Sequence, residues 1–146
     1  MTSPVEGLIA SLKPASGKDV FFGVVHVKAS FAERRTDDVP MSKALVDGGY
    51  ASPLWTMDCK SSPSSSPRNK GELGELKGNG IKDKRSAKRK DIEDDAYFSA
   101  CFSYNRKTKP TPINQASNAR IYLCDFNSAD SDAFFDFVCE SWDRFK

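Results

Sequence analysis

The stretch Val20–Lys28, VFFGVVHVK, most limits how this chain can fold. β-Branched and aromatic residues run through it with almost no polar interruption, bounded by Gly17 before and Ser30 after. A strand that alternates polar and apolar residues can leave one face in water, whereas a continuous apolar run must be covered on both. The segment therefore predicts a buried strand in a layered fold.

The segments around it supply the rest of such a fold. Ser30-Phe31-Ala32-Glu33 has the S-x-x-E spacing of a capping box, which starts a helix directly after the strand. Pro40 is expected to end or kink that helix, with a second turn through Ser42–Val46. After the turn signal Asp47-Gly48-Gly49, a second strand is expected at Ser52–Lys60, and two more at Tyr97–Asn105 and Arg120–Asn127. The clearest helix closes the chain. Ser128 or Asp130 can cap it, and Phe135, Val138, Trp142 and Phe145 recur on one face, which should cover the sheet. The expected class is α/β (or α+β), with a mixed central sheet of about four strands and flanking helices.

At 146 residues the chain is long enough for one core, and one domain spanning 1–146 is expected. Its 38% hydrophobic and 11% aromatic content groups it with soluble globular proteins. No apolar run approaches the roughly 18 residues of a membrane span, and no basic region precedes the short N-terminal apolar patch, so a cytoplasmic protein without membrane contact is expected. Cys59, Cys101, Cys124 and Cys139 form no CxxC pair, and His26 is the single histidine. A zinc site is not expected, and the thiols read as reduced core residues.

Charge is concentrated in the middle of the chain. Residues 60–90 hold ten Lys/Arg against three Asp/Glu, on a background of Ser, Pro and Gly. Such a composition buries little apolar surface, so about 61–90 is expected to form a long basic loop or a partly ordered excursion.

Chemistry concentrates in Asp19–Asp38, DVFFGVVHVKASFAERRTDD. A strand ending in Lys28 and a helix opening with Glu33, Arg34 and Arg35, with Asp37 and Asp38 behind, bring an ammonium, carboxylates and guanidiniums to one sheet edge. Phosphodiester hydrolysis uses those groups: carboxylates for Mg²⁺, a lysine beside the attacking water, and arginines on phosphates or guanine edges. The same residues also fit a bland reading. Ser30 and Glu33 can be only a helix cap, Lys28 a strand end reaching water, and Arg34–Asp38 a solvated face; His26 fits a satisfied core or edge histidine.

The segment His26-Val27-Lys28-Ala29-Ser30-Phe31-Ala32-Glu33-Arg34 resembles the strand-to-helix signature of type II restriction endonucleases of the PD-(D/E)XK superfamily. In that signature an x-V-K strand runs into a helix bearing [S/T]-x-x-E-R. Ser52–Lys60 resembles the next core strand and Ala133–Phe145 the closing helix. Within the superfamily, the likeness is to enzymes that cut around CCGG, the BsaWI type.

The resemblance implies a restriction-endonuclease-like core and a Mg²⁺-dependent, site-specific endonuclease acting on double-stranded DNA, or a truncated remnant of one. It implies Lys28 and Glu33 as catalytic residues, Glu33 and Asp19 as metal ligands, and Arg34, Arg35, Asp37 and Asp38 as DNA-binding residues of the helix. His26 occupies the slot that usually holds Asp or Glu, and Asp19 is the acid nearest upstream of Lys28. On an extended strand the two would lie about 30 Å apart unless the chain turns at Gly23. An upstream part carrying the missing acid is one explanation. The other is a site built from Asp37 or Asp38 with Asp58-Cys59-Lys60, itself a D-x-K. Lys28 is preferred because a Ser/Pro loop, not a helix, follows Lys60.

Arg85, Lys88 and Arg89 are the residues of the basic island expected on the DNA backbone, where each contact would release counterions. Internal pairing of KRSAKRK with DIEDD is the structural alternative. An active restriction enzyme would be a homodimer, because a symmetric site needs two equivalent readers. The competing functional class is a non-catalytic nucleic-acid-binding or protein-interaction module that uses the basic loop and no metal.

Overall fold

A computed structural model describes residues 7–12, 17–30, 35–59, 71–80, 82–127 and 132–145. The elements run β1 (Gly7–Leu12), β2 (Val20–Lys28), α1 (Arg35–Asp47), β3 (Leu54–Thr56), α2 (Ala87–Glu93), β4 (Cys101–Ser103), β5 (Ile121–Leu123) and α3 (Ala133–Phe145). They form a mixed α/β fold around a five-stranded sheet in the order β1-β2-β3-β4-β5. β1 is antiparallel to β2, and β2 through β5 are parallel. β1 was not among the expected strands; the other four match, in cores shorter than the apolar runs around β3, β4 and β5.

The register explains why the strands are so apolar. His26, Leu54, Cys101 and Ile121 form one row across the parallel strands, and Val27, Trp55, Phe102 and Tyr122 form the next. Successive side chains of a strand point to opposite faces, so the rows cover opposite sides of the sheet. Leu54, Cys101 and Ile121 pack with Leu73, Ile92 and Phe98, joined by Val39 of α1. Phe102 packs on the other side with Trp55, Tyr122, Phe134 and Phe137. α1 and α2 thus cover one face and α3 the other.

Two local expectations are corrected. Pro40 lies inside α1, which continues through it to Asp47; proline's φ suits a helix, and one backbone hydrogen bond is forfeited. Gly48 and Gly49 then close the helix, with Gly49 at φ 83°, a left-handed position that glycine adopts without steric cost. In α3 Phe134 and Phe137 pack on Phe102, and of the expected face Trp142 meets Phe22 of β2 edge-on at 5.5 Å whereas Phe135 is 65% exposed. Asp132 Oδ1 accepts from Phe134 N at 2.9 Å and caps the helix; Ser128 and Asp130 lie outside the described residues.

The cysteines divide. Cys101 and Cys124 are buried, Cys59 is half-buried and Cys139 is exposed on α3, so the core reading holds for two of them. Burial pushes the Cys124 thiol up to about 11 and Cys101 higher still. No helix among the described residues is long and apolar enough to cross a membrane.

Candidate functional site

The parallel strands end together at one edge, where Lys28, Thr56 and Ser103 stand in register. The C-terminal edge of such a sheet is where α/β folds gather ligands, because the loops that follow the strands converge there. Lys28 Nζ meets Asp38 Oδ2 of α1 at 3.1 Å, with side-chain exposures of 9% and 17%. Asp38 lies one helical turn before Ser42, so the two share a face of α1. Ser42 Oγ is 2.7 Å from Ser52 Oγ, which is 2.8 Å from His26 Nε2. Two contacts therefore tie α1 to β2, one ionic and one through a buried hydroxyl. His26 is 2% exposed and its ring meets Phe98 edge-on, which makes it a satisfied core histidine. Burial holds it below its ordinary pKa, Asp38 acts against that shift and Lys28 adds to it.

Asp58, two residues past β3, is 2% exposed and sits at φ 46°. Its Oδ1 accepts from Glu72 N at 2.5 Å and Leu73 N at 3.0 Å, and its Oδ2 from Thr108 Oγ1 at 2.6 Å. Thr56 Oγ1 accepts from Asp58 N at 2.9 Å and fixes the turn. Gly71, at φ 84°, lies so close that a Cβ there would collide with the Asp58 carboxylate. Asp58 is thereby a clamp between chain segments, and Lys60, the other half of the D-x-K alternative, lies outside the described residues. Nearby, Glu72 Oε1 accepts from Ser30 Oγ at 3.0 Å and pairs with Lys88 Nζ at 3.1 Å. Ser30 is thereby tied to the basic island.

The described part of that island, residues 71–80 and 82–90, is folded onto the core. Leu73 is 2% exposed in the core, Gly74 bridges to Arg85, and Ser86 caps α2 by accepting from Arg89 N. Arg89 is fully buried, reaching Glu93 Oε1 at 2.8 Å, the Leu73 carbonyl at 3.1 Å and the Lys109 carbonyl at 2.5 Å. Arg85 pairs with Asp83, Glu93 and Asp94. Burial opposes the charge on Glu93, but hydrogen bonds from Thr111 and Arg85 and the charge of Arg89 outweigh it and hold its carboxyl below the usual range. Arg85 and Arg89 accordingly bind internal carboxylates instead of facing a phosphate, because a guanidinium taken out of water needs full pairing. Lys88 is half-buried on Glu72.

The remaining expected site residues are dispersed. Glu33 and Arg34 lie outside the described residues, and with them the capping box apart from Ser30, whose hydroxyl is on Glu72; Arg35 begins α1, and Asp37 is exposed in its first turn. Asp19 is exposed before the opposite end of β2, which runs unbroken through Gly23. Gly23 bridges to Ala51 so tightly that a Cβ would collide with the Ala51 carbonyl, and no turn brings Asp19 to Lys28. The structure thus joins Lys28 to Asp38 and separates both from Asp19. A cleft of about 250 Å³ opens beside Lys28, lined by Val27, Trp55, Met57, Tyr104 and Phe126.

Mg²⁺ is usually held by one or two carboxylates together with water and substrate phosphate oxygens. Asp58 already accepts three hydrogen bonds, and Glu72 and Asp38 are ion-paired. No group of three His, Cys, Asp or Glu residues among the described residues could hold a metal ion. The described residues do not by themselves fit a magnesium site.

No family model matches the chain. It is 42% identical over 122 residues to the type II restriction enzyme AgeI of Thalassovita gelatinovora, a match that takes in 80% of this chain and 41% of that enzyme. A crystal structure of the specific restriction endonuclease AgeI in complex with DNA aligns with a TM-score of 0.72 at 37% identity, over 88% of this chain and 44% of that one. The chain therefore spans less than half the length of the curated relative it matches, and shares its fold over most of its own.

Proposed function

We propose that this chain carries part of a type II restriction endonuclease, a site-specific enzyme hydrolysing phosphodiester bonds of double-stranded DNA. The carrying observation is Lys28, which closes a central parallel strand and is held by Asp38 at 3.1 Å on the sheet edge, in a chain 42% identical to a restriction enzyme. In hydrolysis, water adds to phosphorus, the bond to the leaving sugar oxygen breaks, and that oxygen takes a proton. An ammonium fixed beside the phosphate opposes the negative charge that builds up on phosphorus-bound oxygens. Asp38 restrains the flexible lysine stem, so that the charge is in place before the reaction begins.

Mg²⁺ is the cation this reading implies, and Glu33 is the carboxylate the resemblance assigns to it. The acids it needs must include groups other than the described ones. Action on a symmetric site implies a homodimer on duplex DNA, in the cytoplasm where such DNA lies.

The test is nicking of a supercoiled plasmid bearing CCGG-containing sites, with and without Mg²⁺, by wild type and Lys28→Ala. Metal-dependent cleavage lost on substitution is expected. Duplex binding with an intact plasmid at every Mg²⁺ concentration would replace the enzyme with a non-catalytic DNA-binding module.

A further inference from the structure

The buried Asp58 is not explained by catalysis, and what it fastens points to a second contact surface. Ser103 ends β4 in register with Thr56 and Lys28, and the chain turns at once through Asn105–Thr108. Every flank of that turn is fixed. Thr108 N donates to the Asn105 carbonyl at 2.9 Å, and Lys107 N donates to Asn105 Oδ1 at 3.0 Å. Asn105 Nδ2 donates to the Asp58 carbonyl at 3.2 Å, and Thr108 Oγ1 lies between Asp58 Oδ2 at 2.6 Å and Ser103 Oγ at 2.7 Å. The two central residues, Arg106 and Lys107, are exposed.

A turn whose ends are bonded into the core while its middle carries two exposed cations presents charge with little ordering cost on binding. The anchoring carboxylate is 2% exposed, so it stands behind the cations rather than between them and an approaching anion. Position identifies the anion. Neighbouring strands lie about 4.8 Å apart, so the end of β4 is about 10 Å from that of β2 along the edge. Every nucleotide of a DNA strand carries a phosphate, so two cationic elements on the order of 10 Å apart on one edge can meet the same backbone. Guanidinium and ammonium both suit phosphate, the guanidinium with two parallel hydrogen bonds.

We propose that the Asn105–Thr108 turn is a backbone-contact element for duplex DNA, with Arg106 and Lys107 on phosphates of the backbone that Lys28 faces. Asp58 is its positioning residue. The proposal rests on the chain being a duplex-DNA protein, and it replaces Arg85 and Arg89 with cations that face outward. Sequence reasoning passed over this RKTK run because the larger charge excess lies in residues 60–90.

The test uses the full chain without Mg²⁺ and a fluorescein-labelled duplex, with affinity followed by anisotropy between about 50 and 200 mM NaCl. Arg106→Ala/Lys107→Ala should lower the slope of log K against log salt by about 1 to 2, and Lys43→Ala, on an exposed pair at the far end of α1, should leave it unchanged. Asp58→Asn, which removes no positive charge, should lower the slope in the same direction. An unchanged slope in the double variant overturns the turn's role while leaving duplex binding in place. Equal losses in the double variant and Lys43→Ala would mean that any surface charge counts, and would overturn it too. Absence of salt-dependent binding by wild type would defeat the underlying reading, and the turn with it.

Discussion

The carboxylate of Asp58 and the hydroxyl of Thr108, fifty residues apart in the chain, meet at 2.6 Å in the interior. The same carboxylate takes the Glu72 and Leu73 backbone N–H groups, so one side chain joins the end of β3, the start of the basic island and the turn after β4.

Asp58→Ala leaves two buried N–H donors without their acceptor and takes from the Thr108 hydroxyl one of its two partners. Each such loss costs about 1–3 kcal/mol, so a total of about 3 kcal/mol or more is expected, lowering Tm by about 10 °C. Gly71→Ala should be destabilising as well, through collision and left-handed strain. Thermal unfolding of both checks the clamp; a Tm within about 2 °C of wild type for Asp58→Ala would remove it.

The Lys28–Asp38 pair is mostly buried, so removing one partner leaves a charge in a poorly solvated site. Lys28→Met and Asp38→Asn should each destabilise, and the double variant should be more stable than the sum of the two losses implies. Urea denaturation of the four proteins should give a coupling of about 1–3 kcal/mol. Additive effects would show that the two groups do not depend on each other.

His26 is held below its ordinary value of 6.5, chiefly by burial. Between its folded pKa and 6.5 the unfolded chain binds more protons than the folded one, so stability rises with pH. Its contribution is complete above about 6.5 and is lost as pH falls through the folded pKa. The urea midpoint of wild type should therefore drop between about pH 7.5 and 5.5 by more than that of His26→Asn. Parallel profiles would assign the pH response to other groups.

Arg89 and Arg106 give opposite expectations from the same residue type. Arg89→Ala strips Glu93 of a buried partner and two carbonyls of a donor, at a cost of about 3–5 kcal/mol. Arg106→Ala, on the exposed turn, should change stability by less than about 0.5 kcal/mol. Chemical denaturation separates them, and a small effect at Arg89 would place its guanidinium outside the core.

Local pattern was sufficient for element type. The apolar run of β2 reads as a strand because its side chains can be covered on both faces, and its observed limits are those the sequence marks. The 3.6-residue recurrence in α3 likewise reports a helix. It does not report phase: with Phe134, Phe135, Phe137 and Val138 all apolar, several faces could have met the sheet, and contact with Phe102 and Trp55 selected Phe134 and Phe137. A periodic pattern depends on spacing within one segment, whereas the choice of face depends on what lies opposite.

The composition of Asp19–Asp38 was enough to mark Lys28 and its acidic neighbours as chemically notable, but the pairing with Asp38, not Asp19, was settled by β2 continuing as one strand through the bulge at Phe22–Gly23 while α1 folded back over it. The burial of Arg85 and Arg89 was equally invisible, since a cluster of Lys and Arg looks the same facing solvent or facing Glu93. Chain composition determined which charges exist and which segments could form strands and helices. Only the tertiary structure, by bringing residues as distant as Asp58 and Thr108 into hydrogen-bond range, decided which charges neutralise one another and which remain at the sheet edge, because electrostatic partnership falls off with distance in space and takes no account of distance along the chain.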